Sequence, residues 1–173
     1  MEKTVGKIVN LYSLSFSELK TYLFALLFIG GNIILPQISH LIPQGGLIFL
    51  PIYFFTLIAA YKYGIGVGLL TAVCSPLINS LLFGMPPVGS LPIILVKSVL
   101  LAVAGAYMAH RLGKISLWGI IVVVLAYQLV GTAVEWLIEG SFLTAVKDFT
   151  KGWAGMLMQI FGGYFLLKAI AKL

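Results

Sequence analysis

Charge is scarce in this chain. Only 9% of its 173 residues are Asp, Glu, Lys or Arg, against about a quarter in ordinary soluble domains, so a water-facing surface of the usual kind cannot be built from it. Cysteine occurs once, at Cys74, which excludes an intramolecular disulfide and any cysteine-framed zinc site. Asp148 is the sole aspartate, and His40 and His110 are the only histidines. No His-Glu-x-x-His, Walker-A loop, nucleophile elbow or paired aspartates occur, so the familiar signatures of catalysis are missing. No cleavable leader is expected either, because residues 1–20 mix Glu2, Lys3, Lys7, Glu18 and Lys20 with serines and lack an apolar run.

What is present is hydrocarbon. With 61% hydrophobic residues, the chain reads as an all-α polytopic membrane protein, a single integral membrane domain over 1–173 whose residues 1–20 form a cytoplasmic or interfacial start. Apolar runs at about 21–38, 47–62, 64–83, 91–110, 115–138 and 153–171 each approach the ~20 residues that a spanning helix needs, which predicts six transmembrane helices. On that topology Lys3, Lys7, Lys20, Lys62, Arg111, Lys114, Lys168 and Lys172 fall on one side and only Lys147 and Lys151 on the other. The positive-inside rule then puts both termini in the cytoplasm. The net charge of +6 is therefore a statement about topology, and a nucleic-acid partner is excluded.

Local signals agree with these boundaries. Ser15 and Glu18 have capping-box spacing before the first run, and Ser116 can cap the fifth helix. Tyr22, Tyr61, Tyr63, Tyr107 and Trp118 are expected as anchors at the inner interface, Trp136 and Trp153 at the outer one. Phe142, Leu143, Val146 and Phe149 predict a short interfacial helix within 139–152. All seven prolines lie at or outside the midplane, and Pro36, Pro51, Pro76 and Pro86-Pro87 predict broken helix ends around an outward-facing cavity. Gly64-Ile-Gly-Val-Gly68 lacks the Lys-Ser or Lys-Thr of a phosphate loop and reads as a site of close helix packing.

Polar residues are few enough in the spans for their depths to be compared. At ~1.5 Å per residue, Asn32, Tyr53, Asn79, Lys97 and Gln159 each fall roughly 6–10 Å below the outer ends of their helices. Glu135 is slightly shallower, and Gln128 lies two turns away on the same face. Such groups must face one another or a wet pocket, because an unpartnered polar group in hydrocarbon costs several kcal/mol. Lys97 has two candidate partners: Glu135, in a structural ion pair, or the anionic group of a ligand. An anionic ligand group would suit Lys97, whereas a cationic one would suit Glu135.

Six short-looped spans, the run Leu50-Pro-Ile-Tyr-Phe, the segment from Gly64 to Leu70 and the loop from Ser75 through Asn79 to Met85-Pro-Pro87 together resemble the S component of an energy-coupling-factor transporter. The resemblance covers essentially the whole chain. It implies a multi-pass subunit of a prokaryotic plasma membrane, without enzymatic activity or cofactor, that captures a vitamin-like micronutrient from outside. That subunit would hand its cargo to a transmembrane coupling protein with two cytoplasmic ATPase subunits. The family's ligand-holding regions, carried onto this chain, add Gln37, His40, Gln44 and Met85 to Asn79, Lys97, Gln128, Glu135 and Gln159. One departure concerns helix one, where Ala25 is followed by Ile29, Gly30 and Gly31 instead of small residues spaced by four. Two rival readings stand beside it: a six-helix scaffold that resembles the rod-shape membrane proteins and binds no small molecule, and an intramembrane enzyme using Glu135 as base.

Overall fold

The structure, a computed structural model, describes residues 11–172. Lys3 and Lys7 lie outside the described residues, as do the side chains of Asp148 and Lys172. Ten α-helices follow one another, with no strand among the described residues: α1 (Leu19–Ser39), α2 (Gly45–Phe49), α3 (Phe54–Tyr63), α4 (Ile65–Phe83), α5 (Leu91–Leu112), α6 (Leu117–Glu139), α7 (Phe142–Ala145), α8 (Lys147–Lys151), α9 (Trp153–Leu157) and α10 (Gly163–Ala169). Four of them, α1, α4, α5 and α6, are long and apolar enough to cross a membrane. Their outward faces carry Leu26, Leu81, Tyr107 and Leu129 in the open. So much exposed hydrocarbon on one molecule calls for lipid as the solvent.

The other two apolar runs are not plain helices. The second is interrupted at Leu50, whose φ of 45° and ψ of 47° put a bulky residue in the left-handed region, and a 3₁₀ turn over Pro51–Tyr53 then leads into α3. The last run passes from α9 through a π-helical turn, Met158–Gly162, into α10 and ends in a 3₁₀ turn, Ile170–Lys172. Pro36 and Pro76, by contrast, sit inside continuous α-helices. Of the expected proline breaks, then, Pro51 marks one and Pro86-Pro87 occupy a loop.

Helix α3 is the centre of the bundle. Leu57, Ile58, Ala59, Ala60 and Tyr61 are completely buried, enclosed by α1, α4, α5 and α10. Its neighbours on every side, and not its composition alone, make it a core helix. The glycine segment that follows packs against it at Gly68, where a Cβ would lie 2.6 Å from the Ala60 Cβ, and against the segment before α1 at Gly66, where one would lie 2.9 Å from the Leu14 carbonyl oxygen. The turn itself needs Gly64, whose φ of 91° is open only to glycine at low cost. Gly66, Gly68 and Ala60, like Ala25 at 3% exposure, are buried within the molecule.

Caps behave partly as expected. The Ser116 hydroxyl accepts from the Gly119 amide at 3.3 Å and starts α6. The Ser15 amide donates to Glu18 Oε1 at 2.9 Å, but α1 begins only at Leu19, so one half of the capping box forms ahead of the helix. Tyr22, Tyr107, Trp118, Trp136 and Trp153 are exposed, as interfacial anchors should be. Tyr61 and Tyr63 are not anchors: Tyr61 is buried with its hydroxyl donating to the Lys114 carbonyl at 3.0 Å, and Tyr63 stacks on Phe24. They sit on α3, whose central place leaves no side for lipid. The segment 139–152 folds into α7 and α8, with Phe142 and Leu143 exposed.

The left-handed Leu50 is held from one side by α9. A Cβ on Gly155 would meet the Phe49 carbonyl carbon and oxygen at 2.4 Å and the Leu50 amide nitrogen at 2.9 Å, all backbone atoms that cannot swing away. Gly155→Val is expected to lower stability in detergent by about 3 kcal/mol, the upper range for overpacking. Gly30→Ala, on α1 with nothing within 4 Å of the added carbon, should be neutral or gain about 0.5–1 kcal/mol. Unfolding curves of the two variants that coincide would overturn this account of the kink.

Candidate functional site

The polar residues of the spans divide into separate groups. The first joins α1, α3 and α4. Asn32 Nδ2 donates to Thr56 Oγ1 at 3.0 Å and to Ser75 Oγ at 3.2 Å, while its Oδ1 accepts from the Phe55 amide at 3.1 Å. Asn79 Nδ2 donates to the carbonyls of Asn32 and Ser75, both at 2.9 Å, and Gln37 Nε2 approaches Asn79 Oδ1 at 3.5 Å. Asn32 and Asn79 are fully buried and their amides are engaged by the protein itself. This arrangement is helix-to-helix bonding, with the unpredicted Thr56 and Ser75 as its partners.

The second group joins α5 and α6. Lys97, fully buried, donates to Glu135 Oε2 at 2.5 Å. Its stem lies flat across α6, since a Cβ on Gly131 would fall 2.6 Å from Lys97 Cγ. Gln128, Gly131 and Glu135 share one face of α6, so glycine in the middle is what lets the lysine reach along that face. Farther down, both amide atoms of Gln128 are buried without a hydrogen-bond partner. The Tyr127 hydroxyl donates to Gln159 Oε1 at 2.9 Å, and Gln159 Nε2 has none. Gln159 belongs to the π-helical turn, an irregularity often found where a helix must aim a particular side chain.

A cavity of about 380 Å³ opens at the end of the bundle where α1, α4 and α6 finish. Pro36, Pro51, Pro86 and Pro87 line it, together with Leu47, Leu50, Ile93 and Ile94. Of the sequence-predicted residues, His40, Tyr53, Met85 and Glu135 line this cavity. Tyr53 floors it and stacks at an angle on Tyr127, ring centroids 5.4 Å apart. Lys97 stands behind Glu135 and is not part of the lining, and neither are Asn32, Gln37, Asn79, Gln128 and Gln159. Gln44 is exposed and accepts from Lys151 at 3.2 Å, away from the cavity.

Glu139 and Ser90 complete the polar lining and were missed. Glu139 carried a usable signal, because it follows Glu135 by four residues and so shares its face. A second cleft, of about 610 Å³, lies at the opposite end and is lined by Tyr12, Tyr61, Tyr107 and His110, with none of the predicted ligand residues. Among the described residues no cluster of His, Cys, Asp or Glu could hold a metal ion. Compared with family models, curated proteins and solved structures, the chain matches none.

The Lys97–Glu135 pair sets its own test. Removing one partner strands a buried charge, at a cost of about 3–5 kcal/mol, whereas replacing both by apolar residues of similar size is close to neutral. Lys97→Met and Glu135→Leu are each expected to destabilise strongly, and the double variant to recover most of the loss, in a double-mutant cycle read by unfolding in detergent. Additive losses would show that the two side chains are not coupled.

Proposed function

We propose that this chain is the substrate-capturing S component of an energy-coupling-factor importer, which takes a vitamin or related micronutrient from outside and passes it to a coupling protein driven by two ATPase subunits. The observation that carries the reading is the 380 Å³ cavity at one end of a lipid-facing bundle, walled by two proline-bearing connections. A space of that size suits a small organic molecule. In this reading the composite segments 45–63 and 153–172 are the second and sixth spans. Their broken backbone is tolerated at membrane depth because it is buried or faces the cavity.

Orientation follows from charge. Lys62, Arg111, Lys114 and Lys168 gather at the end away from the cavity, whereas Lys147 and Lys151 belong to the other end of the bundle. The positive-inside rule then directs the cavity outward and both termini inward. Capture needs only local opening of the 40–53 and 84–90 connections, and release needs a second state of lower affinity, supplied by the coupling protein.

One observation favours the scaffold reading. The Lys97–Glu135 pair is closed and the Asn32–Asn79 network is satisfied within the protein, as in a bundle whose task is contact with other proteins.

Two measurements follow. Against a panel of micronutrients, the protein in lipid nanodiscs should melt higher with its own ligand, by the equivalent of about 2.7 kcal/mol at a hundredfold excess over Kd. Ile94→Trp, which fills the cavity, should abolish that shift without unfolding the protein. A panel without any shift, together with no small molecule retained in native mass spectra, would leave the scaffold reading. For orientation, in a Cys74→Ser background an impermeant maleimide should label Lys147→Cys on intact cells and Lys114→Cys only after permeabilisation. The reverse pattern would invert the topology.

A further inference from the structure

Resting on the capture reading above, the geometry points to a cationic occupant for this cavity, an organic ammonium, amidinium or heteroaromatic cation, selected by Glu135 and Glu139. Among the described residues the lining holds two acidic side chains, Glu135 and Glu139, one histidine, His40, and no lysine or arginine. Glu135 and Glu139 are one turn apart on the same face of α6, about 6 Å along the axis. Glu135 is at the buried level and Glu139 at the exposed rim. Among the described residues the one ion pair is Lys97–Glu135, so Glu139 has no cation of its own.

The backbone adds charge of the same sign. His40, Gly84 and Glu139, which all line the cavity, are at the C-terminal ends of α1, α4 and α6. Each such end carries a partial negative charge of roughly half an electron on its unsatisfied carbonyls. Against these three stand the starts of two helices, α5 with Ser90 at its N-cap and α3 with Tyr53 at its N-cap. Of the nearest cations, Lys97 offsets the charge of Glu135 from behind, with the carboxylate on the lining side, and Lys151 is bonded to Gln44 outside the lining, so that Glu139 is the lining carboxylate without an ion pair among the described residues. Because the remaining walls are largely prolines and aliphatic side chains, the field is weakly screened. A carboxylate-bearing nutrient would meet this field with no lysine or arginine of the described residues in the lining to receive it. A cation would be drawn to Glu139 at the rim and then to Glu135, with Tyr53 beneath it.

The test sorts probes by charge. Wild type, Glu139→Gln and Glu139→Lys in neutral-lipid nanodiscs are titrated with thiamine as the cation, riboflavin and pyridoxine as neutral molecules, and pantothenate and nicotinate as anions. Native mass spectrometry of the protein from rich-medium membranes identifies any retained molecule. The expected result is a cation that binds, or is retained, with affinity reduced about tenfold in Glu139→Gln, lowered further in Glu139→Lys and weakened by salt. Binding or retention of an anion or neutral molecule only, or a cation indifferent to Glu139, would overturn the charge assignment and leave the capture reading intact. If no probe binds and nothing is retained, the capture reading fails and this inference fails with it.

Discussion

Hydrocarbon on the outside leaves every polar group within the bundle to find its partner there, and the rest of the structure follows from how that demand is met. Lys97 is the severest instance: an ammonium without solvent exposure, in contact with the Glu135 carboxylate. The pair ties α5 to α6 at one height. It also sets Glu135 against the cavity with the cation behind it, so that one interaction fixes both a helix contact and the place of a lining carboxylate.

The second constraint is the central helix. Because α3 is only Phe54–Tyr63 and is enclosed all round, the chain before it must cover the remaining distance in another way. It does so through α2, the left-handed Leu50 and the Pro51–Tyr53 turn. That detour folds Leu47, Leu50, Pro51 and Tyr53 around a hollow that a straight helix would have filled. Gly155 on α9, pressed on the backbone of Phe49 and Leu50, holds the detour in place. Small residues at Gly68 and Ala60 let α4 come close on the other side. Cavity and tight core are thus two results of the same short helix.

Much of the architecture was legible beforehand. The apolar runs anticipated α1, α4, α5 and α6 to within a few residues at each end, since length and hydropathy are properties of consecutive residues. Ser116 as a cap and Gly64 at the turn were equally local. Tyr61 and Tyr63 misled because an aromatic near a helix end looks the same whether it faces headgroups or the core, and only the neighbours of α3 decide. The single polar layer was also too simple. Depth along a helix can be counted, but azimuth depends on how helices are rotated against one another. Asn32 and Asn79 therefore turned toward Thr56 and Ser75, while Glu135 turned toward the cavity.

The sequence by itself determined the helical class, the lipid-facing character, the sites of the turns and the short supply of charge, because each depends on composition or on spacing along one chain. Only the tertiary structure decided that Lys97 closes on Glu135, that Glu139 joins the lining, and that three helix C-termini meet at its rim. These are matters of which faces of separate helices come together. Packing chooses those faces, since buried volume and hydrogen-bond partners must be satisfied for all the helices at once.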